Sequence, residues 1–304
     1  MKLITILLVL ATEKYWRSIH ARNRFDLLNR MSMSLRSSLE HARWFDGSLG
    51  VLLVISPAVF LIAVIQYYLG HEQGALIWVL SLLFSVAVLL ACIGEKRFSG
   101  HVNKYLDAWQ KDDLAEACLQ LNKITVDPVA FENPRQLNHR FMAVLLGRLN
   151  ERLLAILFWF VVLGPMGAIL YRSVTQLKGL TREQQENLHG FHAAARYLKI
   201  ILDWLPARLT ALGYAVIGDF VHAIHSWKEH SEEWSHDVET ANKAILTCTG
   251  IGALDLHDFY LADDDALSKE QASEHVRTAQ ALIKRTAVAW LTVLAILTLV
   301  GWLS

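Results

Sequence analysis

Five side chains, His222, His225, Glu229, Glu232 and His236, recur at intervals of three or four residues. On a helix that spacing shares one face, where imidazole and carboxylate one turn apart can chelate a cation. His222, His225 and Glu229 are the core of that metal reading. A solvated amphipathic face has the same pattern, and no ligand from a second helix can be named beside it.

A second constellation is Leu202–Leu209, LDWLPARL. Pro206 has no N–H and so frees a backbone carbonyl one turn back, with Asp203 and Arg208 on either side. At a helix break both would line a polar pocket; a structural ion pair, or an Arg reaching toward the interface, is the plainer alternative. Arg148, Glu151 and Arg152 stand before the apolar stretch Leu153–Leu170, and Tyr171 and Arg172 stand after it. Flanking charges of this kind anchor a helix at the interface, or form a polar entrance to a site. No GxxxxGK[ST], strand-linked GxGxxG, HExxH or GxSxG is written in the chain, so no catalytic residue and no cofactor is indicated. Cys92, Cys118 and Cys248 form neither a CxxC nor a Cys/His spacing and read as small apolar core residues.

The elements that must carry these residues are membrane helices. Of 304 residues 54% are hydrophobic and 19% charged, and the apolar ones are bunched into long blocks. Leu49–Leu69, Gly74–Gly94, Leu153–Leu170 and Ala287–Leu303 each have the length that about 1.5 Å per residue needs to cross a core of about 30 Å. In hydrocarbon only helices or closed barrels satisfy the backbone, and unbroken apolar runs lack barrel alternation. The expected fold is all-α, a polytopic helical bundle in the lipid bilayer with amphipathic helices on the cytoplasmic side. Met1–Thr12 runs into Glu13-Lys14 without a small-x-small cleavage site and reads as an uncleaved half-span.

Seven basic residues lie between Glu13 and Gly47, none lies in Gly70–Gln73, and Lys96 and Arg97 follow the second span. The positive-inside rule therefore puts the short turn outside and the stretch to Arg152 in the cytoplasm. If Leu153–Leu170 crosses once, the segment after it is outside; if Tyr197–Val221 crosses back, it is not. The side of residues 172–285 stays open. The divisions are 1–48, half-span and basic helix; 49–94, hairpin; 95–152, cytoplasmic helices; 153–221, span plus an interrupted PARL segment; 222–285, polar helices; 286–304, last span. Val102–Leu121 reads as one amphipathic helix, and Phe220–Ile251 as another helical stretch. The formal net charge of zero gives no field for nucleic acid. A homodimer would supply more helices and is also left open.

Phe158-Trp159, Gly164-Pro165-Met166-Gly167-Ala168 and Leu170-Tyr171-Arg172-Ser173-Val174 resemble the FW…GxxGAxxYxAV core of the membrane-bound cobinamide-phosphate synthases. Ala195-Arg196, Leu202-Asp203 and Pro206–Leu212 resemble that superfamily's AR…LD…PARLTAL block, and Asp113–Ala117 its GDLxxAR helix. Within this CobD/CbiB superfamily the AmpE branch is the nearest in pattern. The resemblance implies a multi-pass protein of the bacterial inner membrane, linked to AmpC β-lactamase induction and, functionally, to the cytosolic muropeptide amidase AmpD. It adds Arg196 to the ligand-binding candidates Arg148, Glu151, Tyr171, Arg172, Asp203 and Arg208. The synthases' ENTSDG-type motif is replaced by Gly147–Arg152, their NTLDSM by Thr175–Leu180, and their DP..HPV and SPNAGxPE elements are not present. A Mg²⁺–phosphate site needs those carboxylates and amides. The expectation is a regulator or sensor rather than an enzyme, with a synthase-like enzyme acting on a phosphate-containing substrate as the alternative.

Overall fold

The computed structural model describes residues 4–9, 47–71, 74–93, 97–125, 133–178, 189–231, 238–256, 259–260 and 267–300. Nearly all of these are helical, the rest being turns and short connections, with no strand among them. The labelled helices are α1 (Ser48–His71), α2 (Ala75–Ile93), α3 (Arg97–Gln110), α4 (Leu114–Asn122), α5 (Pro134–Leu149), α6 (Ala155–Leu163), α7 (Pro165–Lys178), α8 (His189–Ile217), α9 (Phe220–Ser231), α10 (Val238–Ala253) and α11 (Lys269–Leu299). Four are long and apolar enough to cross a membrane: Ser48–His71, Ala75–Ile93, Gly190–Ile217 and Lys269–Thr298. This is an all-α helical membrane protein.

Two compact units divide the chain. The first holds α1, α2, α6, α7 and the start of α8. Its buried side chains include Val54, Ile55, Leu89, Phe160, Ala168, Ile169 and Val174, drawn from α1, α2, α6 and α7. The second holds Glu95–Leu154 and Asp203–Thr292. One of its cores centres on Val102, Tyr105, Trp109, Leu121, Phe141 and Met142, with Tyr105 and Phe141 stacked at 3.6 Å. The other is built from Leu146, Ala211, Tyr214, Ile245 and Leu282.

Three expectations are corrected. Leu153–Leu170 is not one crossing helix: a π turn, Asn150–Leu154, leads into α6, and the chain then bends at Gly164, whose φ is +71°. Pro165 has no N–H to continue the α6 ladder but suits the first position of α7. The bend is tight, since a Cβ on Gly167 would run into the Trp159 carbonyl oxygen. Second, α8 runs unbroken through Pro206. Third, Val102–Leu121 is two helices. Asp112 takes a left-handed conformation (φ 63°), and the Asp113 carboxylate caps α4 by accepting from Glu116 N at 2.9 Å. Asn133 caps α5 in the same way through Gln136 N.

Candidate functional site

In the second unit the π turn sets the polar positions that end α5. A π turn inserts one residue into the helical ladder and re-aims the side chains after it. Asn150, its first residue, is buried, and its Oδ1 lies 3.1 Å from Thr210 Oγ1. The Thr210 hydroxyl also lies 2.8 Å from the Pro206 carbonyl, so the two acceptors share one proton. Arg148 donates to the Ile124 carbonyl at 2.7 Å and pairs with Glu151 at 3.7 Å. Both members of that pair are about a third exposed, which makes it a weak, solvent-screened contact.

Arg208 is half-buried. Its guanidinium lies 4.2 Å above the Trp204 ring, and Nη1 donates to the Trp204 carbonyl at 2.9 Å and to Asn242 Oδ1 at 3.3 Å. Both bonds draw on Nη1. The Nε–Nη2 edge is the one that takes a carboxylate or phosphate as a two-point fork. Asp203 does not share this position: on an unbroken helix five residues turn the chain by about 140°, so Asp203 and Arg208 face different ways.

The first unit holds the other candidates. Tyr171 is fully buried on α7, and the buried Lys199 of α8 brings Nζ to 3.2 Å from its hydroxyl and 5.1 Å from its ring centroid. Arg172, beside Tyr171, is half-buried, whereas Arg196 is exposed. Trp159 Nε1 donates to the Leu202 carbonyl at 3.0 Å. That carbonyl is the one Pro206 leaves without a donor. The freed group of LDWLPARL is thus taken up by the tryptophan of the FW pair, and α8 need not break there.

The metal candidates pair in opposite directions. His222 Nδ1 lies 3.0 Å from Asp219 and 3.6 Å from Asp255, whereas His225 Nε2 lies 3.2 Å from Glu229. The Asp219 carboxylate caps α9 by accepting from His222 N at 3.0 Å; that bond, and then the His222 ring, holds its pKa below the ordinary value. Among the described residues no three His, Cys, Asp or Glu side chains converge on a metal position. Glu232 and His236 lie outside the described residues.

Residue patterning did not single out Asn150, Thr210, Asn242, Trp159 and Lys199. Only Trp159 had a usable signal, since a proline inside a helix demands a donor for the carbonyl four residues back.

The profile of the CobD/Cbib protein family matches residues 8–259. The chain belongs to that family. Among CobD/Cbib relatives, the cobalamin biosynthesis protein CobD of Chromobacterium violaceum is 31% identical over 214 residues, 68% of this chain and 62% of that protein. The CobD of Stutzerimonas stutzeri is 26% identical over 185 residues, 59% of this chain and 60% of its own length. The chain therefore spans less than two thirds of either relative. Protein AmpE of Shigella flexneri is 26% identical over 309 residues, covering 99% of both chains. AmpE is thereby supported as a branch of this family. No solved structure matches.

Proposed function

We propose that this chain is a multi-pass protein of the bacterial inner membrane with a regulatory or sensory role of the AmpE type, acting in β-lactamase induction and muropeptide recycling and lacking the synthase chemistry of its relatives. The observation that carries this reading is the end-to-end alignment with AmpE, 99% of both chains, against the partial alignments with the CobD proteins. The substitutions at Gly147–Arg152 and Thr175–Leu180 point the same way. Arg208, fixed by Trp204 and Asn242, is the side chain we assign to an anionic ligand. In a strain lacking this protein, β-lactamase induction by a cell-wall antibiotic should change, with a functional link to AmpD. Unchanged induction overturns the reading.

A membrane enzyme of the cobinamide-phosphate synthase type, acting on a phosphate-containing substrate, is the second reading. The 31% identity to the Chromobacterium CobD favours it. Binding of Mg²⁺, nucleotide or a phosphate ester by the purified chain would support it, and binding of none of them would dispose of it.

A further inference from the structure

Large apolar side chains are rarely exposed in the second unit, and where they are exposed they gather. Of the eight among its described residues, Trp204, Leu205, Leu212, Val216, Phe220 and Val221 form one run, with only Leu119 and Val288 elsewhere. The run follows the outer face of α8 to its end and passes through the turn at Gly218-Asp219 into α9. Val216, Phe220 and Val221 are 64%, 53% and 73% exposed, values water alone would penalise. On the inner face of α9, Ala223 and Ser226 are buried, with Gly252 of α10 in close approach.

We propose that the first turn of α9 is a membrane-interface wedge, with Phe220 and Val221 inserted at the boundary between headgroups and acyl chains. Continuity with a membrane helix identifies lipid as the occupant. The span in α8 ends at Ile217, and Phe220 comes within about 5 Å of axial rise, inside the depth of about 5–10 Å that interfacial helices occupy. Apolar burial, and not charge, drives the insertion. His222 is paired with Asp219 and Asp255, and His225 with Glu229, so the two imidazoles nearest the wedge are matched by acids, and Lys228 lies two turns further along the helix. The wedge accounts for a polar helix that opens on two exposed apolar residues.

A photo-crosslinking residue in the full-length chain tests this, placed as Val221→benzoylphenylalanine and, for comparison, as Glu229→benzoylphenylalanine. Both positions are exposed, so the fold tolerates them. The chain is reconstituted in vesicles of phosphatidylcholine alone and of phosphatidylcholine with phosphatidylglycerol, then illuminated. Position 221 should give lipid adducts in both vesicles, several-fold more than position 229. Chain-to-chain adducts at 221 would assign the wedge to a second copy and overturn the proposal. So would equal lipid yields at the two positions, absence of adducts, or adducts that appear only with phosphatidylglycerol.

Discussion

Two prolines sit inside membrane-crossing helices, and each leaves a carbonyl that hydrocarbon cannot solvate. Pro57 frees Leu53, and the neighbouring Ser56 hydroxyl donates to that oxygen at 3.1 Å. Pro206 frees Leu202, and the donor comes from a different helix, through Trp159. Losing that donor strands a polar group, so Trp159→Phe should destabilise the detergent-solubilised protein by about 1–3 kcal/mol. Restoring a local donor should cancel the effect. In a Pro206→Ala background the same change should cost much less, because the backbone N–H of the new alanine can reach the Leu202 carbonyl. Equal costs in the two backgrounds, read from thermal unfolding, would show that the indole bond contributes nothing. Asp219 allows a prediction with a definite sign. Its folded pKa is depressed, chiefly by the His222 backbone N–H. The cap is fully present above the ordinary aspartate value and fades as pH falls through the lower folded value. The protection of the His222 amide from hydrogen exchange should therefore drop at acid pH in the native chain, and Asp219→Asn should remove that pH dependence.

At the scale of elements, the sequence marks helices well and breaks poorly. The hairpin helices stand out because apolar runs of that length have no soluble use, and α1 and α2 fall within a few residues of Leu49–Leu69 and Gly74–Gly94, whereas α8, with Lys199, Asp203 and Arg208 in its run, reads only as an open alternative. The bend at Gly164 is hidden by the same hydropathy: Leu153–Leu170 is greasy on both sides of it, and hydropathy carries no information on backbone direction. What holds the bend is a remote side chain. Gln66 of α1 donates through Nε2 to the Leu163 carbonyl at 3.2 Å and accepts through Oε1 from Met166 N at 3.2 Å, closing both helix ends with one amide. A partner so distant in sequence cannot be found by local spacing. The same holds for Asn242 beside Arg208, whereas Arg208 itself was legible because PARL is a motif. Two variants probe the bend. Gln66→Leu leaves both groups unsatisfied and should cost about 2–6 kcal/mol, from about 1–3 for each. Gly167→Ala puts a methyl against the Trp159 carbonyl and should cost about 3 kcal/mol or more, the upper range of overpacking. If either variant melts with the native chain, α6 and α7 are not held in this bend.

For the whole molecule, the bend removes the reason for placing residues after 171 outside, because Leu153–Leu170 is no longer a single crossing. The second unit then decides the matter by packing alone. Arg135 donates to the Phe259 carbonyl at 2.8 Å, Asn138 to the Tyr260 hydroxyl at 3.1 Å, and Lys269 pairs with Asp112 at 3.0 Å. The Tyr260 hydroxyl lies 3.0 Å from His275 Nδ1, and Tyr105 donates to Asn138 at 3.2 Å, so the chain of polar contacts runs from α3 to α11. Burial raises the pKa of Tyr105 and Tyr260 above the ordinary phenol range, which keeps both as neutral hydroxyls in this network. Residues joined by direct hydrogen bonds cannot lie on opposite sides of a bilayer. Phe259, Tyr260 and His275 therefore share one side with the α3–α5 residues they are bonded to. Single cysteines at Lys104 and Glu274 should respond alike to a membrane-impermeant thiol reagent in intact cells, both labelled or both protected. Labelling of Glu274→Cys but not Lys104→Cys in intact cells would break the second unit apart, and with it the network that joins α5 to α11.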